Sequence, residues 1–266
     1  MSGLDAVTDE NPEYADLTRD AIFNGRVSLV QPRRGYRFSL DALLLADFAA
    51  ARPGTTVVDL GAGVGVVSLA LARRLGRGRI FAVEIQARPA WCARENFRAA
   101  AAGPDLLVLE MDWNDLQPRD LGGPVDFVVA NPPFRALGMG RVNPNEEEAA
   151  ARHEFKGGLK TAIKTAAGIL APKGRMAVIY PAARLAGLIH ELKNARLEPK
   201  KLRLIHGRPG DPARLALVEA RKNGREELTV FPPLFVYGED GKYSGEVEDV
   251  ISGRRFEAPE DRPVSS

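Results

Sequence analysis

Short, continuous apolar runs alternate with longer amphipathic segments between residues 42 and 195. The apolar runs are typical of buried strands, and the longer segments have the apolar spacing of helices. Strands that are buried on both faces and joined by helices favour a parallel sheet covered on both sides. The pattern predicts strands at 56–60, 80–84, 106–110, 125–130 and 176–180 and helices at 42–51, 64–75, 88–102, 155–170 and 183–195.

The pattern changes after Pro199. Residues 201–206 and 214–221 are both typical of strands, and the loop between them, 207–212, is rich in Gly and Pro. This indicates an antiparallel pair that closes one edge of the sheet. The expected fold class is therefore α/β of Rossmann type, with a mostly parallel seven-stranded sheet, an antiparallel edge hairpin and helices on both faces.

Three regions follow from this organisation. Residues 1–24 are polar and are expected to be a flexible N-terminal segment. Residues 25–222 are expected to form one domain, in which 26–34 make a short hairpin strand. Residues 223–266 are expected to form an extension that packs on this domain and ends loosely.

The composition is that of a soluble globular protein, with 45% apolar and 27% charged residues. No apolar stretch approaches the roughly 20 residues that a membrane span needs, and the polar, acidic start does not resemble a signal peptide. The single cysteine, Cys92, excludes a disulfide framework and a cysteine metal cluster. We therefore expect a cytoplasmic protein without a membrane partner and without a metal site.

The net charge of +2 neither requires nor excludes a nucleic-acid partner, so the distribution of charge matters more than the sum. The basic residues at 73–79 end a predicted helix, where cations complement the helix dipole. Two other basic groups remain candidates for contact with nucleic acid. They are Arg33, Arg34 and Arg37, and Lys200, Lys201, Arg203, His206 and Arg208.

A glycine-rich loop at 59–65 follows the strand at 56–60 and opens a helix. Glycine there permits positive φ and lets a ligand lie against the backbone. A nicotinamide dinucleotide site would need a small residue where Val66 stands, and a P-loop would need Gly-Lys-Ser/Thr. The G-x-G-x-G form, with an acidic residue two positions before it, favours S-adenosylmethionine instead. The predicted cofactor-binding residues of this loop are Asp59, Gly61, Ala62, Gly63 and Gly65.

The next two strands are also followed by candidate cofactor ligands. Glu84, with Ile85 beside it, ends the second strand, where a carboxylate can accept both ribose hydroxyls. Asp112 and Trp113 follow the third strand, where a carboxylate can accept the adenine amino group and an indole can pack on the ring. Ligands of open α/β sheets bind outside the carboxyl ends of the strands, so these residues are expected to share one crevice. Each acidic residue taken singly could instead cap a helix or lie in solvent.

The candidate catalytic loop is Asn131, Pro132, Pro133 and Phe134, after the fourth strand. The Asn131 side-chain oxygen and the Pro132 carbonyl can each accept one N–H of an amino group, which favours a pyramidal nitrogen and stabilises developing positive charge. The prolines fix φ and hence the direction of the carbonyl, and Phe134 offers a face for stacking. The loop predicts methyl transfer to an exocyclic or amide nitrogen, with Asn131 also touching the cofactor. A plain turn after a strand is the alternative.

Five segments carry a family resemblance: GYRFSLDALLLADFA (35–49), VVDLGAGVGVVSLALA (57–72), VVANPPF (128–134), ARHE (151–154) and FPPLFVYGEDGKYSGEV (231–247). Together they make the chain similar to the bacterial family of tRNA adenine-N6 methyltransferases that modify the anticodon loop of a valine tRNA. The glycine loop and NPPF define only the wider class of amino-methyltransferases, whereas the first and last segments favour this family. The resemblance implies a class I methyltransferase fold, S-adenosylmethionine as cofactor and tRNA as substrate.

The resemblance also implies roles for individual residues. Phe38, Ser39 and Asp41 would lie over the cofactor. Asn131 and Phe134 would hold and stack a flipped adenine, because a base must leave its stack to be methylated. Residues 141–153 would form a flexible lid near the substrate. Its substrate-binding residues would be Arg152 and His153, facing phosphate or base.

Other substrates remain open within the same chemistry. The acceptor could be the N2 amine of guanine in rRNA or the amide of a glutamine in a release factor. The glutamine enzymes usually carry a separate N-terminal helical domain, and only 55 residues precede the first strand of the alternating region here. A protein of a different class, which binds the cofactor or RNA without catalysis, is a further alternative. The sequence does not indicate an oligomeric state.

Overall fold

The computed structural model describes residues 16–33, 39–100, 103–132 and 158–256. The first described segment forms an antiparallel hairpin of β1 (Leu17–Ile22) and β2 (Val27–Pro32). Its turn uses positive φ at Phe23, Asn24 and Gly25. The hairpin thus begins inside the segment expected to be a flexible tail, so the boundary set at residue 24 is corrected to lie before Leu17. The charged residues of β1 concealed the strand in the sequence.

Strands and helices alternate through the rest of the chain. The strands are β3 (Thr56–Leu60), β4 (Arg79–Glu84), β5 (Asp105–Glu110), β6 (Val125–Ala130), β7 (Leu170–Pro181), β8 (Leu197–His206), β9 (Ala213–Lys222), β10 (Thr229–Val230) and β11 (Leu234–Phe235). The helices are α1 (Leu40–Phe48), α2 (Val66–Leu75), α3 (Ala87–Arg98), α4 (Leu159–Ile169), α5 (Leu185–Asn194) and α6 (Gly245–Ile251). Short 3₁₀ turns lie at Trp113–Asp115, Pro118–Leu121, Ala182–Arg184 and Arg254–Phe256.

The main sheet has the order β10-β8-β9-β7-β6-β3-β4-β5, with β11 also paired to β8. Only β9 runs antiparallel to its neighbours, β7 and β8, and all other pairs of this sheet are parallel. The Rossmann-like fold with an antiparallel edge pair is therefore confirmed. Within the described residues the sheet has nine strands rather than the expected seven, because the C-terminal extension adds the two short strands β10 and β11.

The direction of the strands brings several loops to one edge of the sheet. Because β9 is antiparallel to both β7 and β8, β8 runs in the same direction as β3 to β7. The carboxyl ends of β3, β4, β6, β7, β8 and β11 therefore lie at a common edge, which we call the carboxyl edge. Ligands of this fold class bind along such an edge.

The core lies in two layers, one on each face of the sheet. One layer contains α1, α2, α3, the β1–β2 hairpin and α6, and the other contains α4 and α5. The described part of the C-terminal extension contributes Leu234, Val247, Val250 and Phe256 to the first layer, all fully buried or nearly so. Among the described residues, no helix has the length and apolar character needed to cross a bilayer.

Two element boundaries differ from the sequence pattern for identifiable reasons. The strand predicted at 176–180 begins at Leu170 in β7, since the chain passes directly from the end of α4 at Ile169 into extended backbone. The strand predicted at 201–206 begins at Leu197 in β8 and includes Pro199, next to a shift of register before Lys201. Proline lacks an amide donor and is tolerated in strands at such irregularities.

Candidate functional site

The glycine loop is held against β4 by its own backbone. The amides of Gly61 and Ala62 both donate to the carbonyl of Val83, at 2.9 and 3.0 Å. Gly65 directly precedes α2 and has a φ of 87°, and a Cβ added there would lie 2.6 Å from Cε1 of Phe97. Glycine at position 65 is therefore required by both backbone conformation and the close approach of α3. The loop leaves its inner surface open toward the carboxyl edge.

Glu84 links the glycine loop to the turn after β4. Its Oε2 accepts the amide N–H of Gly63 at 2.9 Å, and its Oε1 accepts that of Gln86 at 2.9 Å. The side chain is buried, so these two backbone donors fix its orientation. Each carboxylate oxygen can accept a further hydrogen bond, which is what a pair of ligand hydroxyls would need.

Asp59 is buried at the end of β3 and accepts a hydrogen bond from Ser68 Oγ at 2.8 Å. Burial raises the pKa of Asp59 to about 7, and the nearby negative charge of Glu84 acts in the same direction. The hydrogen bond from Ser68 opposes this shift. A carboxyl group in this state responds strongly to a cation placed beside it, because the cation would favour ionisation.

The predicted cofactor loop and the predicted catalytic loop meet in one cavity of about 430 Å³. Its volume lies within the range of small-molecule sites in proteins. Gly63 and Asn131 both line it, although they are distant in sequence. The predicted residues that line the cavity are Asp59, Gly61, Ala62, Gly63, Glu84, Ile85, Trp113 and Asn131.

Ile85 and Trp113 give this cavity an apolar surface. Ile85 is 60% exposed, which is unusual for a large aliphatic residue next to a buried strand. The Trp113 ring packs on Gly61, where an added Cβ would lie 3.0 Å from Cζ3. Its indole Nε1 donates to Thr161 Oγ1 of α4 at 3.1 Å, which fixes the ring plane. These two side chains suit a flat heterocycle.

Other predicted cofactor residues do not line the cavity. Gly65 serves the turn into α2, as described above. Ser39 and Asp41 lie half-buried at the start of α1, where burial raises the pKa of Asp41. Asp112 Oδ1 accepts from both the backbone and side-chain nitrogens of Asn114, at 2.8 Å each. The roles assigned to these residues remain predictions.

Part of the predicted site lies outside the described residues. Phe38 of the segment over the cofactor, Pro133 and Phe134 of the catalytic loop, and Arg152 and His153 are in this group. Asn131 and Pro132 are the described members of the catalytic loop. Within the described ranges, no three His, Cys, Asp or Glu side chains are grouped so that they could hold a metal ion.

The structure reveals a positioning group that the sequence analysis missed. The buried amide of Asn96 donates from Nδ2 to the carbonyls of Val30 and Val64, at 3.0 and 2.9 Å, and its Oδ1 accepts from the Val30 amide at 2.6 Å. It thereby joins α3, β2 and the glycine loop. β2 ends in Pro32, which forms another wall of the cavity. A polar residue within the apolar stripe of α3, between Ala93 and Phe97, is the signal that could have indicated this role.

Comparison with known proteins shows the family of the chain. The family model "Methyltransferase small domain" matches residues 40–183. The chain is 31% identical over 208 residues to a tRNA1(Val) (adenine(37)-N6)-methyltransferase of Porphyromonas gingivalis, covering 71% of this chain and 80% of that protein. It is 32% identical to a 4-amino-L-phenylalanine/4-methylamino-L-phenylalanine methyltransferase of Streptomyces pristinaespiralis, covering 66% of this chain and 54% of that protein.

A solved structure shares the fold over most of the chain. The crystal structure of a predicted O-methyltransferase from Agrobacterium tumefaciens superposes with a TM-score of 0.64 at 27% identity. The match covers 82% of this chain and 98% of that one. The matched family region begins at α1 and ends just after β7, so it includes the glycine loop, Glu84 and Asn131.

Proposed function

Because the chain belongs to the methyltransferase small-domain family, we propose that it transfers a methyl group from S-adenosylmethionine to an exocyclic amino nitrogen, N6 of an adenine in tRNA. The observation that carries this proposal is the cavity shared by the glycine loop and Asn131. A predicted cofactor loop and a predicted amine acceptor that line the same cavity support this reaction.

The cavity residues fit S-adenosylmethionine. Glu84 presents two oriented carboxylate oxygens for the ribose hydroxyls. Ile85 and Trp113 supply apolar surface for the adenine ring, and Asp59 supplies a carboxylate for the ammonium of the amino-acid end. When bound, this cofactor supplies a methyl group activated by a sulfonium. None of these contacts requires a phosphate-binding group, in agreement with the loop's lack of Lys and Ser/Thr.

The role proposed for Asn131 is to hold the accepting amine. Its side-chain oxygen and the Pro132 carbonyl accept the two N–H groups, so the nitrogen lone pair points toward the methyl carbon. The C–N bond forms as the C–S bond breaks, and the positively charged nitrogen then loses one proton to water. Pro132 is buried, which keeps its carbonyl in a fixed direction. No strong general base is required.

Transfer RNA is the preferred substrate class because the Porphyromonas gingivalis relative is named for it. A small aromatic amine is the second candidate, since the Streptomyces pristinaespiralis relative is named for an amino group on a phenyl ring. Both amines have a lone pair that is delocalised into a ring, so the same pair of acceptors would serve either. The two candidates therefore differ in what surrounds the amine rather than in the reaction.

The test is transfer of labelled methyl groups to total tRNA, rRNA, soluble protein and 4-aminophenylalanine, followed by mass spectrometry of the nucleosides. We expect N6-methyladenosine in the tRNA fraction and loss of the signal with Asn131→Ala. Label in N2-methylguanosine, in glutamine or in the aromatic amine would change the assigned substrate but would leave the assigned reaction, methyl transfer to nitrogen, in place. Cofactor binding without transfer to any acceptor would overturn the assignment as an enzyme.

A further inference from the structure

The carboxyl edge continues beyond Asn131 onto strands that the proposed reaction does not use. β7, β9 and β8 follow β6 in the sheet, and β11 pairs with the end of β8. Neighbouring strands are about 4.8 Å apart, so the end of β8 lies about 14 Å from that of β6. This distance is short enough for one extended ligand to reach both places.

Two pairs of aromatic rings lie at this end of the edge. His206 and Phe235 are in register between β8 and β11, with ring centroids 5.5 Å apart. Tyr237 and Tyr243 stack with centroids 5.3 Å apart and an interplanar angle of 13°, and Tyr243 is 44% exposed. The backbone holds them in place, since the Tyr237 amide donates to the Gly207 carbonyl at 2.9 Å. The rings are thus ordered before any ligand binds.

The cations near these rings fall into two groups. Lys201 lies 3.2 Å from Glu219, and Arg203 makes two bonds to Glu246, at 2.6 and 2.7 Å. Arg208 and Arg214 are exposed, and no carboxylate in the part of the chain that the structure describes pairs with either guanidinium group. Arg208 lies along the tyrosine turn, with Nη2 3.7 Å from the position a Cβ would take at Gly241.

The described acidic side chains of this region make no direct ion pair with the two guanidinium groups. Asp211 Oδ2 accepts the backbone N–H of Arg208 at 2.9 Å, and Asp240 Oδ1 accepts that of Lys242 at 3.0 Å. Glu239 is exposed on the same turn as Asp240. Two guanidinium groups without a carboxylate partner among the described residues therefore lie at the same end of the carboxyl edge as the ring pairs, Arg208 on the tyrosine turn and Arg214 next to Ala213, which pairs with His206.

We infer that this surface binds unpaired RNA nucleotides that flank the methylated base, an inference that rests on the proposed function. We call it the aromatic rim and define it as His206, Arg208, Arg214, Phe235, Tyr237 and Tyr243. Bases of single-stranded RNA stack on aromatic side chains, and arginine meets the phosphates. Duplex RNA cannot use the rings, because its bases are already stacked. An acidic peptide would use the cations alone.

The test is fluorescence anisotropy with an unpaired RNA of about 12 nucleotides, near the upper range of single-strand site sizes, and with total tRNA, at several salt concentrations. The variant R208Q/R214Q removes both guanidinium groups from exposed positions. We expect at least about 10-fold weaker binding and a salt slope smaller by about 1.4, since each phosphate contact to a single strand contributes about 0.7. Y243A is expected to weaken binding at least about 5-fold through loss of stacking.

Three controls separate the rim from general effects. Y243F keeps the ring, and R52Q removes an exposed arginine at the opposite edge of the sheet, before β3. Both variants are expected to bind RNA as the wild type does. All variants are expected to bind S-adenosylhomocysteine with unchanged affinity.

If the wild type binds RNA, and R208Q/R214Q and Y243A keep its RNA affinity and salt slope, the rim is overturned and the proposed function stands. If the wild type neither binds nor methylates RNA, both the aromatic rim and the proposed function are overturned. Displacement of the RNA by poly-glutamate as readily as by unlabelled RNA would also overturn the rim.

Discussion

The protonation state of Asp59 is set by burial rather than by an ion pair. Because the pKa of Asp59 is raised to about 7 in the folded protein, the folded state holds the proton more tightly than the unfolded chain, where the pKa is about 3.9. Asp59 therefore stabilises the unliganded fold most at low pH, and this contribution is lost as pH rises from about 4 to about 7. An ammonium group beside Asp59 would reverse the preference by favouring the carboxylate.

We therefore predict that cofactor binding at pH 6 releases a proton from Asp59. The affinity for S-adenosylhomocysteine is expected to rise with pH up to about 7, because ionised Asp59 is the binding form. Calorimetry in two buffers of different ionisation enthalpy measures the proton count directly. Asp59→Asn is the matched control, since it keeps the shape and cannot ionise, and it should bind weakly with no dependence on pH. A wild-type affinity that stays flat between pH 5.5 and 7 would contradict the placement of the ammonium at Asp59.

A second prediction concerns Asn131. Asn131→Ala should lower turnover by at least about 100-fold, because it removes an acceptor that stabilises the transition state. The affinity for S-adenosylhomocysteine should stay within about twofold of wild type, since the cofactor keeps its contacts with Glu84 and Asp59. Asn194→Ala, at an exposed position of α5, is the control for loss of an asparagine. A variant at 131 that keeps most of its turnover would remove the assigned role.

Elements were predictable from the sequence where burial is uniform. The strands predicted at 56–60 and 125–130 have the bounds of β3 and β6, because both are central and all but one residue of each is buried. β10 and β11 have only two residues each, so no periodicity could reveal them. They exist because β8 offers a free edge, which is a property of the assembled sheet.

Residues of the candidate site were predictable where they lie at the ends of predicted strands. Residues that end a strand or directly follow one, such as Glu84 and Asn131, were placed in the cavity by the strand-end rule. The cavity walls supplied by Pro32 and Ala42 come from elements that fold over the edge, and no local pattern encodes that packing. Gly65 shows where prediction from the motif stops. It belongs to the predicted cofactor motif, but in the structure it makes room for the Phe97 ring and does not line the cavity.

At the scale of elements, Asn96 should govern cofactor affinity without touching the reacting atoms. Asn96→Leu leaves the Val30 and Val64 carbonyls without their side-chain donor, so we predict a loss of about 2–3 kcal/mol in the free energy of unfolding. S-adenosylhomocysteine should bind at least about 10-fold more weakly, because the glycine loop loses its tie to β2. Turnover at saturating cofactor should remain near wild type.

Arg98→Ala, at an exposed position of the same helix, is the control for the helix itself. Urea unfolding, calorimetry and the separation of kcat from KM check the three expected effects. Equal losses of affinity and turnover in Asn96→Leu would show that Asn96 acts on the reaction rather than on the cofactor site. Unchanged affinity for S-adenosylhomocysteine in a destabilised Asn96→Leu variant would show that Asn96 has a purely structural role.

At the scale of the whole molecule, the C-terminal extension closes the fold around α1. Arg74 of α2 donates to the carbonyls of Ala46, Asp47 and Ala49 at the end of α1, at 3.0–3.1 Å. Arg255 donates to both carboxylate oxygens of Asp47, at 3.0 Å each. The same helix contributes Ala42 to the cavity wall, so the far end of the described chain helps to hold the cofactor site in shape.

The N-terminal hairpin and the C-terminal extension meet at Phe23 and Phe256, and this contact gives the last prediction. Both rings are fully buried, their centroids are 5.2 Å apart, and the guanidinium groups of Arg73 and Arg74 lie over them. We expect Phe23→Leu and Phe256→Leu each to lower the free energy of unfolding by about 1–1.5 kcal/mol, since leucine keeps most of the buried volume. The double variant should lose less than the sum, by about 0.5–1.5 kcal/mol, because an aromatic pair can be broken only once. Urea denaturation of the four proteins measures this coupling. Additivity within about 0.3 kcal/mol would mean that the two ends of the described chain are stabilised independently.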